Sequence, residues 1–129
     1  MRFRETMGGT LAGDDGAHAV SFTVLARHEG FGRFRLEGSA LAEPWVSRAA
    51  CSGVLVLRPW ALSYRVWFDG PGGDWAIEGR KRPRALSPVR TMTVLPVALR
   101  DSRGELRATG DLRFDLHELP VFLASWRPR

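Results

Sequence analysis

Residues 62–81 read LSYRVWFDGPGGDWAIEGRK, and this stretch decides the fold. Leu62, Tyr64, Val66 and Phe68 alternate with Ser63, Arg65, Trp67 and Asp69, the period of two expected of a strand with one buried face. Asp69-Gly-Pro-Gly-Gly-Asp74 then supplies the positive-φ residues and the fixed proline φ that a reversal needs. Beyond it, Trp75, Ile77 and Gly79 alternate with Ala76, Glu78 and Arg80. The stretch is a complete β-hairpin.

The same alternation extends to both sides of the hairpin. Upstream, Phe3, Glu5, Met7, Gly9 and Leu11 share one side of a first strand, and Gly13-Asp-Asp-Gly16 turns the chain. Val20, Phe22, Val24 and Ala26 mark a second strand. His28-Glu-Gly-Phe-Gly32 reads as a link, and Phe34, Leu36, Gly38 and Ala40 mark a third strand that Glu43-Pro44 should end. Residues 45–50 read as a loop or short helical turn. Residues 53–58 hold the apolar run Val54-Leu-Val-Leu57, in which both faces could be buried. Downstream, residues 91–99 form a strand with Pro96 inside it, which argues for an edge, a bulge or a kink. After Asp101-Ser-Arg-Gly104, Leu106, Ala108, Gly110, Leu112 and Phe114 mark the cleanest strand of the chain. Only residues 117–126 change period, and their apolar spacing suits a short C-terminal amphipathic helix.

Strands at near-regular spacing, with turn signals and no helices between them, indicate an all-β sandwich or barrel. Strand glycines at positions 9, 38, 53, 79 and 110 favour the barrel, because tight curvature and close backbone approach tolerate them. The expectation is therefore one all-β domain over residues 1–129, a single antiparallel β-barrel of about eight strands with a short C-terminal helix. A chain of 129 residues is long enough to bury a core. Nothing in it approaches a membrane span.

Basic residues outnumber acidic ones by 19 to 14, and Arg80, Lys81, Arg82, Arg84 and Arg90 follow one another with no acid between them. The run contains Pro83 and Pro88 and lacks the aromatic residues that a nucleic-acid surface interleaves, so it reads as a solvated loop and no nucleic-acid partner is expected. Cys51 is the one cysteine, which excludes an internal disulfide. The start MRFRETMGG has no apolar run behind its basic residues, so no signal peptide is read and a cytoplasmic location is expected.

Several local patterns, in the right order, resemble one family. Phe3-Arg-Glu-Thr-Met7-Gly-Gly9 fits an F-x-E-T-M-x-G opening, and Leu36-Glu-Gly-Ser-Ala-Leu-Ala-Glu-Pro44 is similar to the L-x-G block that ends near a proline. Tyr64-x-x-x-Phe68, Gly79-x-Lys81 and Thr93-x-Leu95 continue the likeness. The family is the small β-barrel domain that accompanies cholesterol-oxidase-like members of the glucose-methanol-choline flavoprotein oxidoreductases in bacteria. The resemblance implies a lipocalin- or allene-oxide-cyclase-like barrel with a role beside sterol or lipid oxidation. No G-x-G-x-x-G is present, so the chain has no familiar means of binding the flavin itself, and no cofactor is expected.

Glu5 is the sharpest candidate residue, a carboxylate on the more apolar face of the first strand. Turned into a closed barrel, it would be desolvated unless a cation or donors were near, and it could then act as acid or base on a bound substrate, with Tyr64 as a second polar handle. The structural alternative is an ion pair, for which Lys81 is one partner within the family-like pattern. Phe3, Met7, Tyr64, Phe68, Trp75 and Trp67 are the candidate walls of a site for a flat or polycyclic ligand, and they serve equally well as core. His18, His28 and His117 lack metal-ligand spacing, and no metal is expected. Cys51 reads as a small buried hydrophobe.

Three functions remain open on these residues. One is a module binding an apolar molecule, sterol-like or polyene, beside a flavoprotein. The second is a cofactor-free isomerase or cyclase using Glu5 and Tyr64. The third is a filled barrel whose outer face meets a protein partner. Unpaired strand edges would also leave a homodimer open.

Overall fold

The computed structural model describes residues 2–58, 61–81 and 94–115. They form eight antiparallel strands closed into one barrel, in which each strand pairs with its neighbours in sequence and β8 returns to β1. The strands are β1 (Arg2–Gly13), β2 (Gly16–Gly30), β3 (Arg33–Ala42), β4 (Val46–Arg58), β5 (Ala61–Gly70), β6 (Gly73–Lys81), β7 (Val94–Arg100) and β8 (Leu106–Asp115). The helix expected over residues 117–126 and the first residues of the strand expected at 91–99 lie outside the described residues. Closure removes the full edge strand on which the homodimer expectation rested.

The alternation read from the sequence is the alternation of burial. On β5, Leu62, Tyr64, Val66 and Phe68 are buried while Ser63, Arg65 and Trp67 lie on the outer wall. The barrel is strongly tilted, as one hydrogen-bonded row shows: it passes from Glu5 through Val24, Gly38, Cys51 and Phe68 to Trp75. Such a row descends from one mouth of the barrel to the other. At this tilt neighbouring backbones press into the space of inward side chains. A Cβ on Gly38 would run into the carbonyl oxygen of Thr23, and one on Gly53 into that of Arg65. Those glycines are required by close approach rather than by φ.

Two local readings change. Residues 46–50 are strand, the first part of a 13-residue β4, and not a loop or helical turn. The reversal is already complete by Trp45, with a cis peptide between Glu43 and Pro44. The register also shifts between Ala40 and Ala42, and this blurs the alternation where the strand begins. Likewise His28, Glu29 and Gly30 belong to β2 rather than to a link. Pro96 is not at the bulge, which falls between Leu99 and Arg100, but stands where β7 has lost its pairing on the β6 side. It pairs with Asp111 of β8, whereas the β6–β7 ladder stops one residue short of it, at Val97. A residue without an N–H ends one ladder and leaves the other intact.

The turns at residues 13–16, 42–46, 70–73 and 100–106 all gather at one mouth, here the lower. The β2–β3 turn, the start of β1 and the end of β8 lie at the upper mouth. Among the described residues, no helix is long and apolar enough to cross a membrane.

Candidate functional site

The lumen is filled by its own side chains. Phe22, Phe34, Tyr64, Phe68, Leu11, Leu36, Leu57, Leu62, Ile77, Leu95, Leu99 and Leu112 are buried almost completely. They present next to no surface that a water molecule could reach, from outside or from within. Phe22 stands 5.9 Å from Phe68, and Phe68 6.5 Å from Trp75, ring centre to ring centre. These spacings are those of packed aromatic cores.

Of the residues singled out by sequence, Glu5 (4% exposed), Met7, Tyr64 (2% exposed), Phe68 and Trp75 face this lumen. The side chains of Phe3 and Lys81 lie outside the described set, although their backbones pair with Ala26 and Leu62. Tyr64, on β5, is held well above its ordinary pKa by burial first, then by the nearby Cys51 and Glu5. Burial likewise pushes the Cys51 thiol up to about 11, against a weaker opposing hydrogen bond from the Gly38 backbone. Glu5, Cys51 and Tyr64 thus form an acid-rich level within an apolar interior. Its low dielectric disfavours the anions and keeps the phenol and thiol protonated.

Trp67 is not with them. It stands on the outer wall, where the backbone row Tyr64, Gly79, Val97 and Gly110 floors a groove of about 870 Å³ across β5, β6, β7 and β8. Trp67, Val54, Pro96 and Ala98 give the groove apolar surface, while Arg33, Arg65, Arg80, Glu78 and Asp111 give it charge. The Arg65 guanidinium lies 5.2 Å over the Trp67 ring. Glu78 is already engaged, at 2.9 Å from Arg100 and 3.7 Å from Arg65. Arg33 reaches Glu29 at 3.5 Å. Arg80 has no such carboxylate among the described residues, so the groove retains a cation for an incoming anion.

The lower mouth carries a cluster that sequence reading missed. His18 is buried, and its Nδ1 donates to the Glu43 carbonyl at 3.0 Å while Nε2 lies 2.6 Å from Asp15 Oδ1. The imidazole packs at a tilt against Trp45, ring centres 4.2 Å apart, and Trp45 likewise against Trp75 at 5.0 Å, while Arg107 lies over both indoles at 5.2 and 5.6 Å. Trp75 Nε1 donates to the Pro71 carbonyl at 2.9 Å. The hydrogen bond from His18 holds the Asp15 carboxyl below its ordinary range. The cluster plugs the mouth. The signal available in the sequence was that His18, Trp45 and Trp75 each stand within a few residues of a turn.

Among the described residues no group of three or more histidine, cysteine, aspartate or glutamate side chains could hold a metal ion. No protein-family model matches this chain, and no curated protein matches it in sequence.

Proposed function

We propose that the protein is a non-catalytic binding barrel that seats an amphipathic anionic small molecule, an apolar or polycyclic body with one acidic group, in the groove on its outer wall. What carries this reading is the contrast between a lumen with no reachable surface and an outer groove of about 870 Å³. A volume of that size suits a small organic ligand, and a few placed polar groups on apolar walls give orientation. Trp67 supplies a face for the body and Arg80 the charge for the head. A sterol-like or polyene acid fits that description. A role beside a flavoprotein oxidoreductase, with a cytoplasmic location, rests on the F-x-E-T-M-x-G resemblance and on the lone cysteine.

The second reading, a cofactor-free isomerase, is favoured by one observation: Glu5 and Cys51 both lie near the buried Tyr64 hydroxyl inside the lumen. It requires the packed rings to part for a substrate, and the binding reading requires no such movement.

Titration with anilinonaphthalene sulfonate, and with its neutral relative phenylnaphthylamine, separates these readings. The sulfonate should bind with energy transfer from tryptophan, and Trp67→Leu and Arg80→Gln should each weaken it about tenfold. The neutral dye should bind poorly and ignore Arg80→Gln. Sulfonate binding unchanged in both variants would move the site off the groove.

A further inference from the structure

The charges of this barrel are sorted by end. At the lower mouth stand Asp14, Asp15, Glu43, Asp69, Asp74, Asp101 and Glu105, on or beside its turns. Arg100, Arg103 and Arg107 lie among them, Arg107 paired with Asp101 at 3.4 Å and Arg100 with Glu78 at 2.9 Å. At the upper mouth, Arg2, Arg27 and Arg35 are directly opposed on β1, β2 and β3, all exposed. Like charges facing one another across strands repel. Glu29 relieves Arg35 at 3.4 Å, but among the described residues neither Arg2 nor Arg27 has an ion-pair partner. The upper rim is therefore a cationic band held against its own repulsion, and an anionic partner would relieve it.

The same rim presents Phe31 at the tip of the β2–β3 turn, 86% exposed. A single exposed phenylalanine is ordinary, but this one also has φ 53°, between Gly30 at 107° and Gly32 at 73°. Glycine would serve that backbone better than any side-chain-bearing residue. The turn is pinned as well, since the Leu57 N–H donates to the Gly32 carbonyl at 2.8 Å. A large apolar side chain thus stands outward at a position that disfavours it both in backbone and in solvation.

We propose that the upper mouth docks on an anionic phospholipid surface, with Phe31 entering the headgroup boundary and Arg2, Arg27 and Arg35 meeting the phosphates. One buried apolar side chain and a basic patch are the two signals that together give reversible surface attachment. The acidic lower mouth orients the approach by turning away from the same field. A nucleic acid fits less well, because the rim offers one ring and no series on which successive bases could stack.

Co-sedimentation of the full chain with vesicles of phosphatidylcholine, with and without phosphatidylglycerol, tests this. Binding should require phosphatidylglycerol and fade at high salt. Phe31→Gly, which the backbone accepts, should lower partitioning about tenfold, and Arg27→Gln about fivefold. Arg103→Gln, at the opposite mouth, should leave it unchanged. Equal sedimentation with neutral vesicles, or indifference to both upper-mouth variants, overturns the proposal. So does binding of a single-stranded oligonucleotide that Phe31→Gly weakens in the absence of any vesicle binding.

Discussion

Phe22→Ala asks whether the lumen is solid, the point on which the location of the binding site turns. Phe22 is buried at 1% exposure, with its ring 5.9 Å from that of Phe68. Losing the ring forfeits about 2 kcal/mol of transfer free energy. If the neighbours cannot collapse, a void of about 100 Å³ at ~24 cal/mol per Å³ adds about 2.4 kcal/mol. The expected loss is therefore about 4 kcal/mol, or a fall in Tm of about 15 °C for a domain of this size. Guanidinium unfolding followed by circular dichroism reads it directly, with an unchanged denaturant slope as evidence that the native state stays compact. The new void, lined by carbon, should also take up benzene and recover part of the stability. A loss below about 1.5 kcal/mol at unchanged slope would refute the reasoning, since it would mean that Phe22 borders space already present. The lumen would then regain its claim as the ligand site.

Tyr64 is the chain's one tyrosine, so tyrosinate absorbance reports on it alone. Its pKa and that of Cys51 are raised in the folded state, so their contribution to stability is whole below the ordinary values of 10.0 and 9.0 and is lost as pH rises through the raised ones. Phenolate should appear only together with unfolding, and Tyr64→Phe should flatten the alkaline limb; gradual ionisation in the intact fold would contradict this. Asp15 has the opposite sign: its lowered pKa gives stability that is whole above the ordinary 3.8 and is lost as pH falls through the lowered value. Asp15→Asn should therefore flatten the acid limb of thermal stability measured against pH. Gly38→Ala should cost about 1–3 kcal/mol in the same unfolding assay, because its methyl meets the Thr23 carbonyl rather than a pliant side chain.

The eight strands were readable because side-chain parity in this chain is seldom broken: Leu62 to Phe68 alternate without fault, and on β8 the buried Ala108 and Leu112 alternate with the exposed Thr109, Asp111 and Arg113, while Leu106, beyond the register shift, is exposed. Residues 46–50 were not readable, since Ser47, Arg48, Ala49 and Ala50 carry too little apolar contrast to declare a face. Parity put Glu5 with Met7 and Leu11, and Tyr64 with Leu62, Val66 and Phe68, on the more apolar faces of their strands. Placing Trp67 outside with a groove needed the closed sheet, because parity alone does not say which face of a hairpin is covered. Charge sorting was hidden for a different reason. Summed along the chain, the basic residues cluster at 80–90 and the rest nearly cancel. Only the meander reveals that alternate turns share a mouth, which brings acids far apart in sequence together at one end and Arg2, Arg27 and Arg35 into one row at the other.

Closure of the meander has a kinetic meaning. Every ladder but one joins neighbours in sequence and can zip as a hairpin. Only β1 with β8 brings together residues as distant as Thr6 and Asp115, after the rest of the chain has been ordered. That seam is also interrupted, running from Thr6 to Gly8 and resuming at Leu11, with Gly9 pressed against the Asp111 carbonyl between them. A barrel so built has a last step and a first one: the β1–β8 seam is where folding finishes and where amide exchange in the native protein begins.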